Sequence, residues 1–292
     1  MRLSCRIKKW ILYLLAPACP TWCSRVLFRG AFSRELDLEN PSTFDEKLQW
    51  LKLNTYRDDP LVAQCADKLR ARDYVRAAGC GEILNDLYGV WDSADAVDWD
   101  AVAYPSVLKC NHGSGYNLFI GSRDKTEHRV LTEKLRRWMR EDYWRFCAEL
   151  QYRNIPKRII CERLLGQDVP LYDYKIYCFH GVPRYIMTCV GRAEHELKFY
   201  FFDSEWNFCR INRDSRDAPE EFSIPRPAQL CPMLEYARKL SAPFPFVRVD
   251  LYDEEGRVVF GELTFTPAAA MDVARLPEAD KIFGELLDLK RG

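Results

Sequence analysis

Apolar and polar positions along the chain change period several times, and each change marks an element. At residues 41–53 (PSTFDEKLQWLKL), Phe44, Leu48 and Leu51 recur at helical intervals behind Thr43, with Glu46 at the spacing of a capping box, so a helix begins there. Residues 60–79 carry an apolar stripe through Leu61, Cys65, Leu69 and Val75 and stop at Gly79, which predicts a second helix. The stretch 104–121 (YPSVLKCNHGSGYNLFIG) reads as strand, polar glycine-rich loop, strand. Residues 126–150 form the longest helical pattern, and 155–165 (IPKRIICERLL) returns to strand. After Gly166 hairpins dominate. Residues 172–190 turn at His180 and Gly181, 197–211 turn near Asp203 and Ser204, and 247–267 (VRVDLYDEEGRVVFGELTFTP) form the last. Helical stretches at 227–241 and 279–290 flank that last hairpin. This order reads as an α+β chain in two lobes meeting near residues 160–170.

The last hairpin carries charge where a core-facing sheet should be apolar. A three-residue turn at Glu254, Glu255 and Gly256 would pair Asp253 with Arg257 and set Asp250 opposite Phe260. Arg248, Asp250, Glu262 and Thr264 then share one face, while Val247, Val249, Leu251, Val259 and Leu263 share the other. Asp250 and Glu262 become diagonal neighbours about 7–8 Å apart. Two such carboxylates can share Mg²⁺ with a polyphosphate, and Arg248 can hold the remaining phosphate charge. A sheet with one solvent face would tolerate the same charges. Against that stand the apolar neighbours on both strands and the run of GELTFTP into a loop.

Lys109 ends an apolar strand and opens the loop CNHGSGYN. A lysine there is placed to neutralise phosphates, with backbone N–H groups of Gly113, Ser114 and Gly115 able to cap their oxygens. A tight turn is the plainer reading of GSG. His112, in the same loop, is a candidate acid, base or hydrogen-bond donor, and no second histidine lies close enough in sequence to suggest zinc.

Composition narrows the partners. Forty-three basic and 43 acidic residues cancel over 292 residues, so no global field draws this chain onto nucleic acid. Twelve cysteines are scattered with no C-x-x-C pair, several inside strand-like apolar runs, which points to reduced, buried thiols and a cytoplasmic location. The first 34 residues hold seven Arg or Lys and no acid, around an apolar run too short to span a bilayer. Two readings stay open for it: a basic amphipathic segment resting on an anionic membrane face, or a helix docked on the body of the protein.

In order, ADKLRAR (Lys68), YPSVLK with its glycine-rich loop (Lys109), IICERLL (Glu162), PLYDYKIYCF (Asp173) and RVD…GELT (Arg248, Asp250, Glu262) resemble the ATP-grasp ligases. The wording NPSTFDEKLQWLK and LKCNHGSGYN resembles the TupA-like branch, associated with capsular polysaccharide and teichuronopeptide synthesis, and the likeness covers residues 39–270. The resemblance implies two α+β lobes with antiparallel sheets clasping ATP. The implied division is a basic segment 1–38, a helical region 39–104, an N-lobe 105–165 and a C-lobe 166–292. It further implies that Lys68 and Lys109 reach the nucleotide phosphates while the loop 111–117, with Asn111, Gly113, Ser114 and Gly115, closes over them. Glu162, Arg163, Leu164 and Leu165 would pair their backbone with adenine, and Asp173 would take the ribose hydroxyls. Lys198 would be a weaker γ-phosphate contact, Arg248 would bind phosphate, and Asp250, Glu262 and Thr264 would hold Mg²⁺. Two departures stand out: Thr264 occupies the place where many ATP-grasp enzymes have a metal-binding asparagine, and PAAAM replaces a glycine after the proline.

The implied activity is an ATP- and Mg²⁺-dependent ligase that joins an amine to a carboxylate through an acyl phosphate. Its acceptor would be a uronate-bearing polysaccharide or its lipid-linked precursor, handled at the inner membrane face. Arg192, Arg210, Arg213, Arg216 and Arg226 are candidates to receive an acidic substrate. Two rivals are a glycosyltransferase of capsule assembly, for which no D-x-D occurs in a strand-end context, and a nucleotide-binding pseudo-ligase.

Overall fold

The computed structural model describes residues 5–121, 125–166, 171–190 and 197–291. Its helices are α1 (Cys5–Leu15), α2 (Pro20–Phe32), α3 (Phe44–Leu53), α4 (Pro60–Ala66), α5 (Ala71–Ala77), α6 (Lys125–Arg140), α7 (Arg213–Arg216), α8 (Leu230–Ser241) and α9 (Pro277–Leu286). Its strands are β1 (Leu87–Trp91), β2 (Ser106–Cys110), β3 (Asn117–Ile120), β4 (Ile159–Arg163), β5 (Tyr172–Phe179), β6 (Val182–Val190), β7 (Lys198–Asp203), β8 (Phe208–Cys209), β9 (Phe246–Glu254) and β10 (Arg257–Thr264). Contacts divide the chain into two units: Met1–Pro20 with Tyr56–Pro170, and Thr21–Thr55 with Leu171–Gly292.

The first unit is built on an antiparallel sheet ordered β1-β4-β2-β3. Leu108, Cys110, Ile159 and Cys161 alternate onto one face and pack against Leu135 and Trp138 of α6. The helix expected over 60–79 is two helices. Asp67 ends α4 with extended backbone and accepts from the N–H groups of Leu69 and Arg70, which holds Lys68 in a turn ahead of α5. The long pattern over 126–150 is likewise helical only to Arg140, followed by single 3₁₀ turns at Tyr143–Arg145 and Leu150–Tyr152. The N–H of Asp142, which would continue the helix, instead meets the hydroxyl of Tyr13 at 3.1 Å, and Ala148 takes a φ of 52°.

The second unit is an antiparallel sheet ordered β10-β9-β5-β6-β7-β8. Phe44, at the start of α3, packs against Phe179, Phe246 and Phe283. The capping box is present, with Thr43 and Glu46 capping reciprocally. His180 and Gly181, at φ 49° and 76°, form the two-residue turn between β5 and β6. Arg275 is buried among Asp45, Asp272 and Asp280 at 3.0, 3.3 and 3.3 Å, its guanidinium over the ring of Phe44.

The last hairpin has a different register from the one expected. Glu254 pairs with Arg257 across a two-residue turn of Glu255 and Gly256, both at positive φ, and Phe260 pairs with Leu251. A bulge at Gly261 then sets Glu262 directly opposite Asp250 and Thr264 opposite Arg248. Turn and bulge offset each other by one residue. Arg248, Asp250, Glu262 and Thr264 therefore do share a face, while Val259, paired with Tyr252, falls on that same face and not on the other.

Among the described residues Cys23, Cys65, Cys80, Cys110, Cys161, Cys178 and Cys189 are buried. No helix among the described residues is long and apolar enough to cross a membrane.

Candidate nucleotide and metal sites

In the first unit the cluster begins at the end of β2. Val107 pairs with Glu162 and Lys109 with Ile160, so Lys109 and Glu162 lie diagonally on one face of neighbouring strands. Lys109 Nζ donates to Glu162 Oε2 at 2.7 Å, and Arg72 donates to Glu162 Oε1 at 3.0 Å and to the carbonyl of Asn85 at 2.7 Å. Arg72 and Glu162 are buried; the Lys109 side chain keeps 23% of its exposure. A partly open ammonium on a buried carboxylate that a second cation also holds can exchange that carboxylate for a phosphate without leaving Glu162 unpaired.

The loop after β2 sorts its residues. Asn111 is fully buried and bonds Asp67, the carbonyl of Pro156 and the N–H of Arg158, so it is a strut and not a nucleotide contact as expected. His112 is also buried, with Nε2 3.2 Å from the carbonyl of Trp138. Burial, helped by Lys157, pushes its pKa down to about 4. The enclosed ring, with Nε2 at the Trp138 carbonyl, favours the hydrogen-bond donor among the roles expected of it over an acid. Gly113 has no room for a Cβ, which would meet the Tyr143 ring at 2.5 Å. Ser114 and Gly115, the latter at φ 78°, form the exposed tip. Lys68 reaches this loop, its Nζ on the carbonyl of Gly113.

The adenine-pairing expectation narrows. Glu162 lies between β1 and β2 in the sheet, and Arg163 donates its N–H to Asp86 and accepts from Asn85. Leu164 and Leu165 continue half-buried past the strand.

In the second unit Asp173, Lys175, Arg248, Asp250, Glu262 and Thr264 lie on one face of β5, β9 and β10. Lys175 Nζ bridges Asp173 at 2.8 Å and Asp250 at 2.7 Å. Arg248 grips both oxygens of Asp250 at 2.7 Å and reaches Thr264 Oγ1 at 3.1 Å, and the Thr264 hydroxyl lies 3.3 Å from Glu262 Oε1. Asp250 is 1% exposed, whereas the side chain of Glu262 is 34% exposed. Burial opposes charge on Lys175 and Arg248, yet Asp250 outweighs it and holds both pKa values above their ordinary range. Burial raises Asp250 in turn, with Arg248 and Lys175 pulling it down.

These donors fit a hard divalent cation. Asp250 and Glu262 sit at directly opposed positions, with Cβ atoms about 4.5–5.5 Å apart, and they and Thr264 all offer oxygen. Among the described residues no group of three or more His, Cys, Asp or Glu side chains could hold a metal alone, so a cation here would take further oxygens from Thr264, water or phosphate.

Lys198 is misplaced for this face. On β7 it pairs with Val190 of β6, while Cys189, the partner of Asp173, pairs with Phe199, so the register turns Lys198 to the opposite side. Arg210 caps the carbonyls of Ser215, Arg216, Ala218 and Pro219, and Arg216 pairs with Asp217. Those two arginines serve local structure. Arg192 lies outside the described residues.

A model of the TupA-like ATP-grasp family matches residues 46–288. The chain belongs to the TupA-like ATP-grasp family. No curated protein matches it. Among solved structures this TupA-like chain is similar to a D-alanine–D-alanine ligase from Bacillus anthracis complexed with ATP, at 16% identity and TM-score 0.49, over 78% of this chain and 66% of that one. It is also similar to the D-alanine–D-alanine ligase of Helicobacter pylori, at 11% identity and TM-score 0.46, over 85% and 70%. A third is the N5-carboxyaminoimidazole synthase of Aspergillus clavatus in complex with ADP and 5-aminoimidazole ribonucleotide, at 13% identity and TM-score 0.41, over 69% and 44%. The TupA-like chain thus spans less than two thirds of the Bacillus ligase and less than half of the Aspergillus enzyme.

Two residues of these clusters escaped the sequence reading. Lys175 follows Asp173 by two positions in YDYKIYCF, a lysine amid apolar strand residues on the face of the acid, and that alternation is a legible signal. Arg72 gives none, since a basic residue on an amphipathic helix reads as solvated.

Proposed function

We propose that this TupA-like protein is an ATP- and Mg²⁺-dependent ligase that joins an amine to a carboxylate. The observation that carries the reading is the direct pairing of Asp250 with Glu262 beside Arg248 on one sheet face. Lys109, Lys68 and the exposed tip Ser114–Gly115 would bind the triphosphate, and Leu164 and Leu165 would pair with adenine. Asp173 would take the ribose. Mg²⁺ held by Asp250 and Glu262, with Thr264 beside them, would neutralise charge on the triphosphate.

The chemistry asks no covalent residue of the protein. A carboxylate oxygen of the substrate attacks the γ-phosphorus, the bond to ADP breaks, and an acyl phosphate forms. The amine then attacks the carbonyl carbon, phosphate leaves, and the amine loses a proton. Arg248, Lys109 and Lys68 would stabilise charge on the transferring oxygens. The proposed acceptor is a uronate-bearing polysaccharide or its lipid-linked precursor, met on the cytoplasmic side with peripheral membrane contact through residues 1–34.

One observation favours a second reading. Both oxygens of Asp250 already carry cationic partners, and Thr264 replaces a stronger ligand, as a nucleotide-binding scaffold without turnover would allow. Phosphate release from ATP, with Mg²⁺ and mixtures of uronates and amino acids, separates the two. The ligase reading expects release that Glu262→Ala lowers at least about 100-fold. ATP binding with no release from any pair would leave the scaffold.

A further inference from the structure

The proposed membrane contact was assigned to 34 residues without a surface; the structure supplies one. In α1, Ile7, Trp10, Ile11 and Leu14 follow one another at helical spacing, and they are 47%, 65%, 38% and 64% exposed. This stripe is not what holds the helix. Leu12 and Ala16 are buried, and Tyr13 accepts the Asp142 N–H and packs its ring on Phe146. The apolar stripe therefore faces away from the packing that anchors α1.

Beside the stripe, a cavity of about 580 Å³ opens between α1 and α6, with Lys9, Trp10, Tyr13, Arg137, Arg140 and Phe146 among its lining. Its charge is not balanced internally. Arg136 is engaged by Asp95 and Glu133, and Glu141 accepts from the hydroxyl of Tyr116 at 2.6 Å. Lys9, Arg137 and Arg140 are exposed and form no ion pair among the described residues.

We infer that α1 lies in the interface of an anionic phospholipid bilayer, its stripe among the acyl chains, and that the cavity holds a lipid phosphate between Lys9, Arg137 and Arg140. Aromatic rings with polar tips suit the headgroup level, and cations beside an apolar stripe match an anionic surface. A protein partner would suit the stripe but leave the unpaired cations unexplained. The inference rests on the membrane contact of the proposed function and is independent of its chemistry, so ATP turnover is read separately.

The test is flotation of the full chain with phosphatidylcholine vesicles, with and without phosphatidylglycerol. The parent chain should float with the anionic vesicles alone. Trp10→Glu with Leu14→Glu should abolish flotation, and Arg137→Glu with Arg140→Glu should lower it at least about tenfold. All four side chains are exposed, so folding and nucleotide binding should survive. Brominated lipid should quench fluorescence in the parent more than in Trp10→Phe. Flotation with neutral vesicles, or unchanged flotation of either double variant, would overturn the inference. So would displacement by inorganic phosphate, which marks a soluble-anion site, or a dimer that the Trp10 and Leu14 substitutions dissolve, which gives the stripe to a second copy.

Discussion

Ala268, Ala269 and Ala270 hold φ values of 51°, 55° and 59°, a left-handed conformation that costs a residue with a Cβ about 1–2 kcal/mol. They form the PAAAM segment that replaces the family's glycine, and buried Gln49 holds it by donating to the carbonyls of Ala269 and Ala270 at 3.2 and 3.1 Å. At this departure from the family pattern the backbone is therefore strained. Ala268→Gly, at an exposed position, should stabilise the protein by about 1 kcal/mol, read as a higher denaturant midpoint at unchanged slope. His112 supplies a second residue-scale outcome. Its pKa is about 4 in the folded protein against an ordinary 6.5, so the unfolded chain binds the extra proton first as pH falls. Stability present above pH 6.5 should be lost progressively between about 6.5 and 4, by up to about 3 kcal/mol. His112→Gln should flatten that slope in pH-dependent denaturation; an unchanged slope would reject the burial argument.

At the scale of elements, the last hairpin explains what alternation can and cannot disclose. Period-two counting placed Arg248, Asp250, Glu262 and Thr264 together because parity survives when a turn shortens by one residue and a bulge adds one. It misplaced Val259, which lies between those two offsetting irregularities. The bulge belongs to Gly261: a Cβ there would meet the Tyr252 ring at 2.9 Å and the Asp250 carbonyl at 3.0 Å. Gly261→Val should destabilise by about 1–3 kcal/mol and move Glu262 off Asp250, measured as a lower thermal midpoint together with weaker Mg²⁺-dependent nucleotide binding. The helix over 60–79 broke for a reason periodicity misses, because Asp67 accepts from Leu69 and Arg70 inside an apolar stripe and Lys68 gains its place in the resulting turn.

For the whole molecule, the α+β class and both antiparallel sheets were legible, since strand runs, turn glycines and the ordered motifs agree with one another. The composition of the units was not. Thr21–Thr55 joins the second unit across more than a hundred intervening residues, through contacts such as Phe44 with Phe283 and Asp45 with Arg275, and no local signal announces such pairing. Arg275→Ala would leave Asp45 and Asp280 buried, with Asp272 half-buried, around an empty site and should cost about 3–5 kcal/mol in calorimetry. The roles proposed for Lys68, Lys109 and Asp173 rest on the order of motifs alone, because a lysine or an acid at a strand end carries no label for its ligand.

The proposed reaction asks Mg²⁺-dependent nucleotide binding of Lys109 in the first unit and of Glu262 in the second. Calorimetric titration of ATP with and without Mg²⁺ tests it, using the parent, Lys109→Ala, Glu262→Ala and the double variant. The account predicts Mg²⁺-dependent binding in the parent, a loss of about tenfold or more in each single variant, and a double variant that falls short of the product of the two losses. Parent-like affinity in either single variant, or binding indifferent to Mg²⁺, would contradict it.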